Sequence, residues 1–282
     1  MTRSKACSDN TKLTLGFWNQ AFQSSPTFRA LAPSTQKSYS LGLDRLKPLS
    51  GLPIASVRRS DLILILDPLH GKPGAQHSFI TACRAMFNYS IERGALDNNP
   101  ASTLSPEPSS PLLAWKLSDA LVLINKSSPR VSISTSLGLY TGQRISDILS
   151  LTWDSIDGEL INVKQIKTGT SLTIPITSHL RMALEVHRTI GNGGDYVVGG
   201  PLGGPGFIAP FRQRWMRERD RLGLPKAPFH GLRKCCASML AEHGASTREI
   251  MAVGGWKSSR QVDLYTAQAN QLDLARNALG RL

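Results

Sequence analysis

Between residues 98 and 111 the chain reads NNPASTLSPEPSSP, and no regular element can run through it. Its four prolines lack the N–H that a helix or an inner strand needs, and each pushes the preceding residue toward extended backbone. The serines around them offer hydroxyls that compete for backbone hydrogen bonds. A chain of 282 residues broken at that point is expected to fold as two units, one over 13–104 and one over 112–282.

The two stretches carry different patterns. PSTQKSYSLGLDRLKPL (33–49) has a Ser/Thr start signal and apolar residues at Tyr39, Leu43 and Leu46, which predicts an amphipathic helix. SVRRSDLILILD and GAQHSFITACRAMFNYSIERG read as further helices, the last ended by Gly94. Beyond the proline stretch, 116–128 and 131–141 read as helices. LINVKQI and SLTIPI are short β-rich runs flanking KTGT, the pattern of a hairpin. Helix returns from about 208, with Ser246 and Glu249 spaced as a capping box. The expected class is mainly α (α+β): an all-helical N-terminal domain, then a mixed domain with a small antiparallel sheet.

Charge narrows the partner. Lys and Arg number 33 against 20 Asp and Glu, a formal net charge of +13, which calls for a polyanion, and nucleic acid is the commonest one. Cys7, Cys83, Cys235 and Cys236 show neither the paired spacing of a zinc site nor that of a disulfide framework. No apolar run reaches the ~18 residues of a membrane span, and MTRSKACSDNTK lacks a signal peptide's apolar segment. A cytoplasmic protein is expected, with no membrane partner, and the Asn-x-Ser matches at Asn88 and Asn125 are read as chance.

Several residues of the second half have both a plain and a chemical reading. Arg144 follows a Thr-Gly turn and opens a helix, where Asp147 one turn on suits an ordinary ion pair. Lys167 sits in common turn composition, QIKTGTS, yet a lysine on a hairpin tip can reach a neighbouring site and deliver a proton. His230 and Arg233 share a face at a helix start. Trp256 and Tyr265 suit a core, although SSRQVDLYTAQANQ is polar company for a core tyrosine. VGGPLGGPGF (198–207) lacks the order of a nucleotide-binding loop, and IAPFRQRWMRERDRLG (208–223) is a basic helix that suits either solvent or a DNA backbone.

Taken together, these residues suit phosphoryl transfer without metal. Attack on a DNA phosphodiester builds charge on the non-bridging oxygens, which two arginines can clamp. A tyrosine hydroxyl can be the nucleophile and a lysine can protonate the departing 5′ oxygen, while histidine and an indole N–H add hydrogen bonds.

In TGQRISDILSLTWDSID, KTG, HGLRKCCASMLAEHGAS and GGWKSSRQVDLYT, taken in that order, the chain resembles the tyrosine recombinases, the phage integrase family. The resemblance implies catalytic roles for Arg144, Lys167, His230, Arg233 and Trp256, with Tyr265 as nucleophile and Asp147 supporting Arg144. Many members carry histidine where Trp256 stands; tryptophan is a variant that cannot act as acid or base. It further implies a helical core-binding domain, SAM-like, that closes a C-shaped clamp on double-stranded DNA. A homotetramer on two DNA sites would exchange strands through a Holliday junction with no cofactor, neither ATP nor metal, and residues 270–282 would form a helix that packs on a neighbouring subunit. About a dozen residues precede the first helical pattern, so a Cre- or Xer-like two-domain architecture is expected, without an arm-binding domain. An accessory factor that sets direction or bends DNA is a further possible partner, and the nucleoid the expected location. Two rivals remain open at this point, a type IB topoisomerase and a DNA-binding protein that has lost catalysis; a metal-dependent nuclease lacks its clustered carboxylates.

Overall fold

A computed structural model of the chain describes residues 13–109, 113, 115–190, 194–199, 204–266, 275–276 and 279–280, without the side chains of Pro205, Leu264, Tyr265 and Thr266. The chain divides into two compact units, Met1–Pro111 and Leu112–Leu282. Most of the stretch 270–282, where the sequence predicts a C-terminal helix, lies outside the described residues, as does Cys7.

The described part of the first unit carries helices α1 (Leu15–Gln23), α2 (Pro26–Arg29), α3 (Pro33–Leu43), α4 (Arg59–Leu66) and α5 (Pro73–Ile91). Helix α5 is the spine, packed by α3 and α1, and Phe79, Cys83, Met86 and Phe87 on its inner face are fully buried. Burial of each such side chain stabilises by about 1.5–3 kcal/mol. The close approach of α3 needs Gly42, where a Cβ would lie 3.1 Å from the Ser78 carbonyl oxygen and 3.2 Å from Ala82. The helix predicted over 33–49 is shorter than expected: α3 ends at Leu43 and a 3-10 segment, Asp44–Leu49, follows with Pro48 inside it. Proline has no N–H to continue the α ladder.

The proline-rich stretch forms neither helix nor strand over its described residues, yet its first part is tied down. The Arg84 guanidinium donates to the carbonyls of Ala101, Ser102 and Leu104. The Glu107 carboxylate meets the His70 ring at 2.8 Å and accepts from the Gly71 N–H and the Gln76 amide, at 3.0 and 2.9 Å.

The second unit is built on α7 (Pro129–Thr141), against which α6 (Leu117–Lys126), α9 (Ser178–Ile190) and α11 (Gly231–Glu242) pack. Helix α7 is buried almost all round, and its hydroxyls are satisfied locally: Ser134 and Thr135 both donate to the Val131 carbonyl, and Thr135 accepts from the Trp215 indole at 3.0 Å. Trp215 comes from α10 (Ile208–Arg221) and packs edge-on against Trp115, whose indole N–H reaches the Pro228 carbonyl. Between α8 (Ile145–Leu149) and α9 lies an antiparallel sheet of order β1-β2-β3, with strands Ile156–Asp157, Leu160–Lys164 and Ser171–Pro175. Ile161 pairs with Ile174 and Val163 with Leu172, and Ile161, Val163 and Ile174 join the core.

The hairpin stands where the sequence predicts it. The two-residue β1 and the helix α9 are additions, since the reading returns helix only from about 208. The spacing of Leu180 and Leu184, the buried residues of α9, is a helical signal that this reading leaves unused. Helices α12 (Thr247–Gly254) and α13 (Ser259–Thr266) follow, and Ser246 and Glu249 form the predicted capping box. Burial raises the thiols of Cys83, Cys235 and Cys236 above their ordinary value, Cys235 to about 11 and Cys236 to about 12, so these three stay protonated and unreactive at neutral pH. Among the described residues no helix is long and apolar enough to cross a membrane.

Candidate active site

Helix α7 ends where Gly142 turns left-handed at φ +61°, a conformation that strains any residue with a Cβ. Two residues on, Arg144 is the extended N-cap of α8. The short turn therefore sets the arginine at the edge of the core, its side chain 22% exposed. Asp147, one turn along, is fully buried and places Oδ2 3.8 Å from Arg144 Nη1. Its other oxygen accepts the backbone N–H of Ile166 at 2.9 Å, so the same carboxylate also holds the β2–β3 turn.

That turn carries Lys167, which is exposed. Its backbone is closed by Gly169, at φ +67°, whose N–H meets the Gln165 carbonyl at 2.8 Å. Gln165 itself is buried. Its side-chain oxygen accepts from Arg144 Nη1 at 3.2 Å and from the Thr168 hydroxyl at 2.8 Å. Its amide nitrogen donates to Gln143 Oε1 at 2.8 Å and to the Gly254 carbonyl at 2.9 Å.

His230 caps α11 and Arg233 lies in its first turn. Arg233 is only 2% exposed; its guanidinium donates to the Gly142 carbonyl and sits 4.1 Å over the Trp256 ring. The ring is placed by the end of α12, where Gly255 turns left-handed at φ +67°. A Cβ on Gly254 would lie 2.0 Å from the indole, so only glycine lets the ring fold back there. Helix α13, whose backbone includes Tyr265, packs on α11 and α12. The Tyr265 side chain lies outside the described residues.

His230 links the cations. Burial pushes its pKa below the ordinary 6.5, and the positive charges of Arg233, Arg144, Lys234 and Lys167 push it the same way. The imidazole is thus neutral at pH 7, in a field that would favour an anion beside it. A cavity of about 430 Å³, lined by Arg144, Ser146, Arg212, Phe229 and His230 among others, opens next to it.

A stability prediction follows from that shift. The native state resists protonating His230, so below pH 6.5 the unfolded chain binds the extra proton and stability falls as pH drops. Urea unfolding between pH 7 and pH 5 is expected to show this loss in the wild type and a flatter slope in His230→Gln; equal slopes would contradict the shift.

The structure therefore brings Arg144, Asp147, Lys167, His230, Arg233 and Trp256 to one end of the second unit, and places Tyr265 by its backbone alone. Sequence reasoning passes over Gln165, because one glutamine beside a turn carries no periodic signal. Of the arginines of α10, Arg219 is buried and bonded to Asp220 and the Ala227 carbonyl, and Arg221 pairs with Glu218; Arg212, Arg214 and Arg217 are exposed. Among the described residues no three His, Cys, Asp or Glu side chains gather as they would to hold a metal ion.

The sequence profile described as the phage integrase family matches residues 117–271, more than half of the chain. The chain belongs to the phage integrase family. It is thus a tyrosine recombinase, of an enzyme class that cleaves and rejoins DNA, and the topoisomerase and binding-only readings are not favoured. An integrase of Enterobacteria phage 434 is 23% identical over 275 residues, covering 92% of this chain and 77% of that protein. Tyrosine recombinase XerC of Xylella fastidiosa strain M23 is 26% identical over 201 residues, covering 66% of this chain and 67% of its own. Among solved structures, a lambda integrase tetramer bound to a Holliday junction matches with a TM-score of 0.78 at 21% identity, covering 91% of this chain and 81% of that one. The likeness supports the observed fold, mainly α with a small antiparallel sheet.

Proposed function

We propose that this phage integrase family member cleaves one DNA strand with Tyr265, whose oxygen gives up its proton to solvent and bonds to the scissile phosphorus as the bond to the 5′ oxygen breaks. The protein keeps a 3′-phosphotyrosyl link that holds the phosphodiester energy for rejoining. Lys167 gives its proton to the departing 5′ oxygen, a role suited to an exposed lysine on a hairpin turn. Arg144 and Arg233 neutralise the non-bridging oxygens, with the buried Asp147 carboxylate as a nearby countercharge for the first and the Trp256 face seating the second. His230, neutral and at the N-terminus of α11, adds a hydrogen bond to the phosphate.

The observation that carries this reading is the convergence of Arg233, Arg144, Lys234 and Lys167 on one half-buried histidine. Like charges repel when brought together, and a phosphate relieves that cost. The helical unit is the core-binding domain and the second unit the catalytic domain, together gripping duplex DNA. The Holliday-junction complex of the lambda relative supports a homotetramer on two sites. An accessory factor would act on which sites meet, outside the chemistry, and the recombinase itself would work in the cytoplasm on the nucleoid.

The test needs no known target. The protein is incubated with fragmented genomic DNA of its source and denatured in SDS, and whatever stays attached is sequenced. One enriched locus, absent with Tyr265→Phe, is the expected result; adducts spread over all sequences would indicate a topoisomerase, and their absence would contradict the proposal. On the recovered site, Lys167→Ala is expected to slow cleavage by about 10²–10⁴, and a 5′-bridging phosphorothiolate to restore it, since a thiolate leaves without a proton. A lack of rescue would place the general acid elsewhere.

A further inference from the structure

We propose that Gln165 is a positioning residue that orients Arg144 and the Lys167 turn as one unit against α12. The inference rests on the function proposed above and extends it to a residue outside the set assigned to the chemistry there. Four polar contacts satisfy the buried Gln165 amide, and each ends on a different part of the site: Arg144, Thr168 in the Lys167 turn, Gln143 before Arg144, and the Gly254 carbonyl at the end of α12. Gln143 in turn donates to the carbonyls of Thr141 and Val253. The turn after α7 and the end of α12 are thereby stitched together beneath the hairpin.

The direction of the amide is fixed by its partners. The Gly254 carbonyl can only accept and the Arg144 guanidinium can only donate, so a flipped amide would oppose both. The backbone of Gln165 closes the turn as well: its N–H donates to the Thr170 carbonyl and its carbonyl accepts from Gly169, both at 2.8 Å. Arg144 has one other anchor described, the Asp147 oxygen 3.8 Å away, a distance too long for a good hydrogen bond. Gln165 at 3.2 Å is therefore what sets the direction of the guanidinium. Its neighbours leave no slack, because a Cβ on Gly255 would lie 2.6 Å from the Gln165 amide nitrogen.

The test is a double-mutant cycle on the full chain, using the recovered DNA site with a 5′-bridging phosphorothiolate. On that substrate the lysine is not needed, so the cycle with Arg144 reads how much of the Gln165 effect runs through the arginine. Gln165→Leu is expected to slow cleavage by about 10–100-fold, the usual effect of losing a group that orients a ligating or reacting side chain, with DNA affinity unchanged. In an Arg144→Ala background the same change is expected to cost less than about threefold, because the arm it orients is gone. An equal factor in both backgrounds, or no slowing at all, would overturn the assignment. Gln165→Met, which keeps length and bulk without an amide, covers the case in which leucine does not pack; loss of the fold in both would show a scaffold role and overturn it too. A wild type that forms no adduct would remove the underlying reading, an outcome visible before any variant is made.

Discussion

Tyr265→Phe is expected to bind duplex DNA as the wild type does and to form no covalent adduct with it. The substitution removes one oxygen from helix α13, while affinity for DNA is set mostly by cations meeting phosphates, a sum over many contacts in a chain of net charge +13. In the proposed mechanism that oxygen is the nucleophile, so its loss removes the group that forms the covalent link. Titration by fluorescence anisotropy should give dissociation constants within about tenfold of each other, given that one lost hydroxyl contact is worth about 0.5–1.5 kcal/mol at most. SDS gels of the same samples should show a shifted band only for the wild type. An adduct retained in the variant would strip Tyr265 of the role.

Arg233→Met is expected to separate stability from chemistry. The Arg233 guanidinium is 2% exposed, bonded to the Gly142 carbonyl and laid over the Trp256 ring. Burying that charge costs several kcal/mol, which its contacts must offset. Methionine fills much of the same volume without the charge and can still touch the indole. Urea unfolding should place the variant within about 2 kcal/mol of the wild type, on either side. Cleavage should fall by about 10³–10⁵, the range known for an arginine that neutralises a transferring phosphoryl group. A variant that folds and cleaves within tenfold of the wild type would show that Arg233 only builds the core.

These two residues also mark how far the sequence could be read. Arg144, Lys167, His230, Arg233 and Trp256 lie beside turns or helix starts, where local rules apply, whereas the roles proposed for them and for Tyr265 came from the family resemblance of their motifs. The hairpin was legible from alternation and a Lys-Thr-Gly turn, and the start of α12 from Ser246 and Glu249. The two-residue β1 has too few positions for alternation to register. Helix α3 was read too long because Leu46 continues the apolar spacing past Leu43, while Pro48 ends the α ladder. Gln165 was beyond reach for a different reason: its partners Gln143 and Gly254 lie 22 and 89 residues away in the chain, and only the folded chain brings them to it.

The grip of Arg84 and Glu107 on the proline-rich stretch has a consequence for avidity. The chain is anchored at Glu107 on the helical unit and again at Trp115 in the core of the second. Eight residue steps separate these anchors, which cannot span more than about 29 Å when fully drawn out. A tether that short holds each unit at an effective concentration in the millimolar range relative to the other's binding partner. On the proposed reading, in which both units grip one duplex, the two grips would be worth more than their separate affinities by about 10²–10⁴, and letting go with one would not mean leaving the DNA.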